Sequence, residues 1–245
     1  MILAAGEGTR MRPLTDHIPK ALLPVKGLPS ICYTLTWLGK HGILGVAINL
    51  HHLGEKVEEY LGDGSRYGMK VLYSFEEFLL GTAGGVKRVA GFFDGTFVVV
   101  YGDVVTDFDL SSMVRFHKQR ESLATLALLE VPNPWEKGIV GLDTAGRVID
   151  FVEKPPKGTE KGDLSNGGIY VLEREILNFV PAEAFCDFAY DVFPQLIRAN
   201  LPVYGYVLSP RDYLIDIGTP AKYDQVVADA EAGKLANIYP TSKLS

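Results

Sequence analysis

Short apolar runs alternate with amphipathic stretches along the first half of the chain. Runs typical of buried strands occur at ILAA (2–5), GVAINL (45–50), MKVLYSF (69–75) and TFVVVYGD (96–103). Between them, helical spacing of apolar positions predicts helices over residues 30–42, 54–64 and 82–93. Strands that alternate with helices predict a mainly parallel sheet flanked by helices, as in Rossmann-like α/β proteins.

The pattern changes beyond about residue 124. Strand-like runs joined by turns occupy residues 124–131, 139–155 and 167–173, and the second of these contains a hairpin across DTAGR. A helix over 191–201, a strand over 203–208 and a final helix over 220–235 follow. We therefore expect a mixed sheet with a small antiparallel extension, within one domain.

Composition narrows the range of partners. The chain has 245 residues and a net charge of -6, whereas a nucleic-acid-binding protein carries a basic surface, so nucleic acid is not an expected partner. No stretch approaches the ~20 apolar residues of a membrane span, and the opening apolar run is too short for a signal peptide. Cys32 and Cys186 are too few for a disulfide framework or a zinc cluster. We expect two buried thiols in a cytoplasmic protein with no membrane partner.

The chain opens with MILAAGEGTRMRPLT, which leads from an apolar strand into glycines and arginines. Gly6 and Gly8 allow a tight turn whose N–H groups can approach phosphate oxygens. Arg10 and Arg12 carry guanidinium groups suited to a polyphosphate, and Lys20 adds a point charge. A glycine turn with solvated arginines is the alternative that these residues leave open.

This opening differs from two other classes of glycine-rich nucleotide-binding loop. Pro13, Pro19 and Pro24 predict an extended segment after the glycines, whereas a dinucleotide-binding loop leads into a helix. No ribose-binding acid is placed as that class requires, and the Gly-Lys-Ser/Thr ending of a P-loop is missing from the sequence. Nucleotide-dependent oxidoreductases are therefore excluded.

Two aspartates are the candidate metal ligands. Asp103 ends the most apolar strand, and Asp216 lies within YLIDIGTP. Carboxylates with mostly apolar neighbours favour a shared hard cation, which Mg²⁺ fits, although a turn or cap role for either remains open. His51 and His52 follow a strand without a third ligand at suitable spacing, so we interpret them as turn residues.

Further charged and aromatic positions are ambiguous from the residues alone. Glu153 and Lys154 would point to opposite faces of a strand, but a solvated hairpin edge explains them equally well. The aromatic residues of FEEF (75–78) and FCDFAYDVF (185–193) are expected in the core.

An ordered series of short motifs then becomes recognisable. It comprises LAAGEGTRMRPLT…PKALLPV, EEFLLGTAGG (76–85), YGD (101–103), FVEKP (151–155), NGGIYVL (166–172), DVFP (191–194) and DIGTP (216–220). The series resembles the signature of the sugar-1-phosphate nucleotidylyltransferases and extends from residue 2 to about residue 223. The resemblance implies a GT-A-like nucleotide-diphospho-sugar transferase fold over residues 1–245. A nucleotide-binding half would cover about 1–123 and a sugar-binding half about 124–235.

The resemblance also implies a role for each matching residue. Arg10 would hold the leaving pyrophosphate, Lys20 the reacting phosphates and Lys154 the sugar phosphate, while Asp103 and Asp216 would bind Mg²⁺. The implied nucleotide contacts are Leu3, Ala5, Gly6, Gly8, Thr9, Arg10, Gly81, Thr82, Gly84 and Asp103. The implied sugar-phosphate contacts are Gly138, Glu153, Lys154, Asn166 and Asp216. Leu214 departs from the pattern, because many members of the family have a tryptophan there.

The expected reaction joins a nucleoside triphosphate to a sugar 1-phosphate and releases pyrophosphate. EEFLLGTAGG is most similar to guanylyltransferases that act on mannose 1-phosphate or a related sugar, and UTP or dTTP as the nucleotide stays open. A catalytically silent regulatory homologue is a further alternative, although such a protein would be expected to lose the basic and acidic groups found here. The C-terminal β-helix of hexapeptide repeats that many members carry has no counterpart, so we expect a short catalytic form or a truncated chain. A homo-oligomer is left open.

Overall fold

The computed structural model describes residues 1–132, 138–158 and 162–239, and these residues form two compact units. The first unit comprises Met1–Leu79, Tyr101–Phe108 and the chain from Asp212 onward. The second unit comprises Leu80–Val100 and Asp109–Arg211.

Parallel strands form the centre of the first unit. Its strands are β1 (Ile2–Leu3), β2 (Pro24–Val25), β3 (Leu28–Pro29), β4 (Gly45–Leu50), β5 (Lys70–Phe75), β7 (Val104–Thr106) and β13 (Leu214–Asp216). Its helices are α1 (Ser30–Lys40), α2 (Gly54–Leu61) and α6 (Pro220–Glu231). Strand β4 pairs in parallel with both β1 and β5, and all its residues after Gly45 are buried. An apolar run that is buried on both faces is typical of an inner parallel strand.

The second unit has mixed strand directions. Its elements are α3 (Gly81–Arg88), β6 (Phe97–Tyr101, whose last residue belongs to the first unit), α4 (Leu110–Gln119), β8 (Ala124–Glu130), β9 (Gly138–Leu142), β10 (Val148–Glu153), β11 (Leu164–Leu172), α5 (Phe193–Arg198) and β12 (Val203–Val207). Strand β11 runs antiparallel to β6, β8 and β9, and β12 runs parallel to β8. The predicted hairpin is confirmed, because β9 and β10 pair antiparallel around a turn closed by Asp143 and Arg147.

The predicted α/β class with a mixed sheet and flanking helices is confirmed. Two details differ from the pattern. A π-helical turn, Phe188–Val192, precedes a short α5 where one helix is expected over 191–201. Helix α4 and strand β13 lie where the pattern gives no prediction; α4 buries only Leu110, Met113 and His117 and begins at the capping carboxylate of Asp109.

The expectation of an extended segment after the opening glycines is wrong. Three short 3-10 turns occupy Thr9–Met11, Leu14–Asp16 and Lys20–Leu22. Pro13 and Pro19 directly precede two of them, and the fixed φ of proline is compatible with the start of a helical turn. The α-helix of a dinucleotide-binding loop is still not formed, since the first α-helix begins at Ser30.

The prediction for the aromatic residues is only half right. Phe188 and Phe193 are fully buried and stack with ring centroids 5.5 Å apart. Phe75, Phe78, Phe185 and Tyr190 are instead exposed on their respective units. Both cysteines are buried, as predicted. Among the described helices, none combines the length and the apolar composition needed to span a bilayer.

Candidate active site

Buried polar side chains fix the start of the glycine loop in the first unit. The Oδ1 of Asn49, on β4, accepts a 2.9 Å hydrogen bond from the N–H of Ala4, just beyond β1. The Nδ2 of Asn49 donates to Glu76 Oε1 at 2.8 Å, and both side chains are almost fully buried. A buried amide with both ends satisfied has little freedom, so the chain leaves β1 toward Ala5 and Gly6 in one defined direction.

Thr15 supports the turn at Gly8 from behind. Gly8 has a φ of +67°, and its carbonyl accepts hydrogen bonds of 2.8 Å from both Thr15 Oγ1 and the N–H of Met11. A Cβ on Gly8 would lie 3.0 Å from Thr15 Cγ2, whereas a Cβ on Gly6 would meet nothing within 4 Å. The glycines therefore permit a left-handed turn and leave the backbone at Gly6 accessible. Thr9 and Arg10 are exposed beside it.

The structure brings the two candidate metal ligands together. Strands β7 and β13 pair antiparallel with Asp216 opposite Val104, and the N–H of Ile217 donates to the carbonyl of Asp103 at 2.8 Å. Asp103 and Asp216 are thus neighbours at one end of this strand pair. The preceding N–H, of Gly102, donates to Leu3 at 2.8 Å, and a Cβ on Gly102 would lie 2.9 Å from that same carbonyl oxygen. Glycine at position 102 therefore lets the Asp103 turn lie against the end of β1.

Three cations surround these two acids. Lys20 Nζ is ion-paired with Asp103 Oδ2, and Lys222 Nζ lies 2.6 Å from Asp216 Oδ2. Arg10 lies near the carboxylate of Asp216, because both side chains lie next to Gly218. A Cβ on Gly218 would be 3.2 Å from Arg10 Nη2 and 2.7 Å from Asp216 Oδ1. We call Arg10, Lys20, Asp103, Asp216 and Lys222 the charged cluster. Arg12, the other arginine of the loop, pairs instead with Asp16 at 3.4 Å.

The donor set of the charged cluster fits Mg²⁺ in the way that phosphate-handling enzymes hold it. Mg²⁺ is usually bound by one or two carboxylates, with water and substrate phosphate oxygens as its other ligands. Within the described residues, no group of three His, Cys, Asp or Glu side chains could hold a metal by itself. Asp103 and Asp216 would therefore supply two ligands and leave the others to phosphate or water.

In the second unit, Glu153 lies over Gly138. The two residues are directly opposite in the β9–β10 hairpin, and a Cβ on Gly138 would overlap Glu153 Oε2. Burial raises the pKa of Glu153, Lys154 opposes the rise and Asp187 adds to it. Lys154 follows the strand with a φ of +49°, so strand alternation does not set the direction of its exposed side chain.

Asn166 shapes a bulge in β11. Its Oδ1 accepts from the N–H of Gly168 at 3.1 Å, and its Nδ2 donates to the hydroxyl of Tyr170 at 2.8 Å. The register with β8 shifts between Asn166 and Tyr170, and Gly168 has a φ of +74°. The side chain thus has a structural role beside Gly167–Gly168, and its contact with a sugar stays a prediction.

The start of α3 lies against residues 184–188 within the second unit. Gly81 has a φ of +75°, and a Cβ there would lie 2.5 Å from the carbonyl oxygen of Cys186. A Cβ on Gly84 would lie 2.7 Å from the carbonyl oxygen of Ala184. Thr82 Oγ1 donates to Asp187 Oδ2 at 2.8 Å. The glycines of LGTAGG therefore allow the backbone of α3 to lie close to the backbone of residues 184–186 inside this unit.

The remaining positions singled out in the sequence have structural contacts. His51 donates from Nδ1 to the carbonyl of Glu76 at 2.8 Å, and His52 Nε2 lies 3.3 Å from the carbonyl of Thr15. Both lie in the turn before α2, where turn residues are predicted. Leu214 is buried in β13 opposite Thr106, so it packs in the core of the first unit.

Comparison with known proteins agrees with the motifs. The model of the nucleotidyl transferase family matches residues 1–233. The chain therefore belongs to the nucleotidyl transferase family, and the sequence resemblance to sugar-1-phosphate nucleotidylyltransferases is confirmed.

Individual relatives differ in the nucleotide that their names give. The chain is 35% identical, over 97% of its length, to UTP--glucose-1-phosphate uridylyltransferase of Synechocystis, and 36% identical, over 95%, to mannose-1-phosphate guanylyltransferase of Mycobacterium tuberculosis. It spans 64% of the length of each of these curated relatives. Over 91% of the chain and 96% of the relative, it is 34% identical to D-glycero-alpha-D-manno-heptose 1-phosphate guanylyltransferase of Campylobacter jejuni.

A solved structure shares the fold. HddC from Yersinia pseudotuberculosis superposes with a TM-score of 0.80 at 25% identity, over 94% of this chain and 97% of that one. The GT-A-like expectation for the fold is thereby confirmed.

Proposed function

We propose that the chain transfers a nucleotidyl group from a nucleoside triphosphate to a sugar 1-phosphate and releases pyrophosphate. The observation that supports this most is the charged cluster: two carboxylates at adjacent strand ends with Arg10, Lys20 and Lys222 around them. The charged cluster itself, with three cations and two carboxylates, has one net positive charge, which suits a polyanionic ligand.

The reaction requires charge neutralisation and alignment. An oxygen of the sugar phosphate attacks the α-phosphorus of the triphosphate, and pyrophosphate leaves on the opposite side, so two anions must meet. Arg10 would hold the leaving pyrophosphate, since its guanidinium group can donate to two phosphate oxygens at once. Lys20 would neutralise the phosphates at the reacting centre. No protein nucleophile is needed.

Asp103 and Asp216 would hold Mg²⁺, which supplies positive charge to the phosphate oxygens when bound. In the second unit, Glu153 would accept hydrogen bonds from sugar hydroxyls, and its position over Gly138 leaves no room for a larger residue there. Lys154 would bind the sugar phosphate, and Asn166 would provide a second sugar contact. The backbone of Gly81–Thr82 would contact the base.

The substrates that we propose are GTP and mannose 1-phosphate or a related sugar. The motif EEFLLGTAGG and the two guanylyltransferase relatives support this assignment. UTP with glucose 1-phosphate is the second candidate, because the Synechocystis uridylyltransferase is similar to the chain at nearly the same identity.

A panel assay tests the proposal. The purified chain is incubated with each of GTP, UTP, dTTP, ATP and CTP, paired with mannose, glucose or heptose 1-phosphate, and pyrophosphate is measured. We expect release only when both substrates and Mg²⁺ are present, and the highest rate with GTP and mannose 1-phosphate. A highest rate with UTP would transfer the assignment to the second candidate. Nucleotide-sugar binding without turnover in any pair would contradict nucleotidyl transfer and favour a regulatory homologue.

A further inference from the structure

Asp187 uses both of its carboxylate oxygens within the second unit. Oδ1 caps the π-helical turn Phe188–Val192 by accepting from the N–H groups of Ala189 at 2.8 Å and Tyr190 at 3.2 Å. Oδ2 accepts the hydroxyl of Thr82 at 2.8 Å. Its own N–H donates to Asp191 Oδ2 at 2.8 Å. Such a side chain has a single favourable position, because any movement breaks several hydrogen bonds at once.

The hydroxyl group of Thr82 also uses its hydrogen-bonding capacity within the second unit. It donates its only proton to Asp187 and accepts the N–H of Phe188 at 2.9 Å. A hydroxyl has one donor, so the side chain of Thr82 has none left for a nucleotide base. The side chain therefore holds the Gly81–Thr82 turn against the Phe188 turn.

The same π-helical turn also lies beside the predicted sugar-binding strand. It contacts β10, whose last residue is Glu153, and Phe193, directly after the turn, packs on Phe151 with ring centroids 5.8 Å apart. The charge of Asp187 acts on Glu153, whose pKa rises through burial first and this charge in addition, against the effect of Lys154. One carboxylate thus links a turn predicted to contact the base and a strand end predicted to contact the sugar.

We propose that Asp187 is a positioning residue that couples nucleotide recognition at Gly81–Thr82 to sugar recognition at Glu153 through its hydrogen bond with Thr82. The inference rests on the proposed function. Neither residue needs to touch the reacting atoms; each acts through the turn that it holds.

The test compares Thr82→Val with Thr82→Ser in the full chain. Valine keeps the shape of threonine and removes the hydroxyl, whereas serine retains it. We expect Thr82→Val to raise the KM for the triphosphate and the KM for the sugar phosphate together, by about five- to ten-fold, which corresponds to about 1 kcal/mol, the net contribution of a typical hydrogen bond. We expect kcat to change by about two-fold at most and Thr82→Ser to restore both KM values, because the bond persists.

Thr96→Val is the matched control. Thr96 also donates to a carboxylate of the second unit, Glu173 Oε1, at 2.8 Å, but no predicted substrate contact takes part. We expect it to lower thermal stability and leave both KM values unchanged.

Several results would overturn the inference. A rise in the KM of the triphosphate alone would make Thr82 a direct base contact. A loss of kcat or stability with unchanged KM values would make the pair merely structural, as would failure of serine to restore binding.

Binding calorimetry separates this inference from the proposed function. If the wild-type chain binds both ligands without turnover, the transfer reaction is wrong, and the coupling is still tested by whether nucleotide strengthens sugar phosphate binding in the wild type and not in Thr82→Val. If the wild-type chain binds neither ligand, both proposals fail.

Discussion

The ammonium group of Lys222 lies 2.6 Å from Oδ2 of Asp216. With the ion pair between Lys20 and Asp103, each of the two candidate metal ligands therefore carries its own lysine. A cation next to a carboxylate lowers its attraction for a second cation, so the cluster favours a metal that arrives with a polyanion over a free metal ion.

Replacing Lys222 by methionine is expected to raise the affinity for Mn²⁺ in the absence of nucleotide. The gain is about two- to five-fold, because the lysine is partly exposed and exposed ion pairs contribute little. Electron paramagnetic resonance of free Mn²⁺ measures it directly. Lys234→Met is the matched control, since Lys234 pairs with Asp229 at 2.7 Å in the same unit. Equal affinities of wild type and Lys222→Met would show that Lys222 does not compete with the metal.

Neutralising Asp103 is expected to lower turnover by about two orders of magnitude or more without unfolding the chain. Asp103→Asn preserves the shape of the side chain and removes the charge, and Lys20→Ala removes its partner. We expect pyrophosphate release to fall by about 100-fold or more in either variant, which is typical for loss of a group that stabilises transition-state charge. Circular dichroism and melting temperature check the fold, and Asp16→Asn, in an exposed ion pair, is the control. Near-normal release by Asp103→Asn or Lys20→Ala would contradict the assigned roles.

The sequence predicts those parts of the fold that local patterns determine. Strand β4 is identified with its observed bounds because an apolar run, interrupted only by Asn49, follows Gly45, and the β9–β10 hairpin is identified by its turn residues. Helix α4 is not predicted from the sequence, because its single buried face is short and contains a histidine. The 3-10 turns after the glycines are not predicted either, because proline is compatible with both an extended chain and the start of a turn.

The candidate active site likewise contains some residues that motifs predict and others that only the folded chain reveals. Asp103 and Asp216 lie in motifs, and strand pairing makes them neighbours as their chemistry predicts. Sequence reasoning assigns no role to Lys222, Thr15 or Asp187, although Thr15 and Asp187 lie within quoted segments. Each acts through a hydrogen bond or ion pair to one specific partner, and only the folded chain shows which side chain reaches which partner.

Removing the hydroxyl of Thr15 is expected to weaken nucleotide binding specifically. Thr15→Val takes one of two hydrogen bonds from the Gly8 carbonyl, so the loop loses its support while Met11 still holds the turn. We expect the KM for the triphosphate to rise several-fold and the KM for the sugar phosphate to stay constant. Thr36→Val is the control, because Thr36 makes an equally short bond of 2.8 Å to Cys32 within α1. We expect Thr15→Val to lose about 1 kcal/mol of stability and Thr36→Val to lose less, because a threonine that bonds to the carbonyl four residues earlier adds little to a helix. An unchanged KM for the triphosphate in Thr15→Val would show that the hydroxyl of Thr15 does not support the loop for nucleotide binding.

A buried histidine is expected to make the stability of the second unit depend on pH. His117 is fully buried, with Nδ1 2.9 Å from the hydroxyl of Thr125 and Nε2 3.2 Å from Glu173. A carboxylate only accepts, so the neutral ring donates from Nε2 and accepts from Thr125 at Nδ1. Burial lowers the pKa of His117, and the partial opposition from Glu173 does not cancel this.

The free energy of unfolding should therefore fall as the pH drops through the ordinary histidine range. The unfolded chain takes up a proton near pH 6.5 and the folded chain does so only at lower pH, so stability is complete above this value and is lost below it. We expect a loss of up to about 1.4 kcal/mol between pH 7.5 and 5.5 from this group, measured by urea denaturation. His117→Gln should remove that part of the slope, because glutamine does not titrate, whereas His17→Gln, at an exposed position, should retain it. A wild-type slope that survives in His117→Gln would assign the pH dependence to other groups.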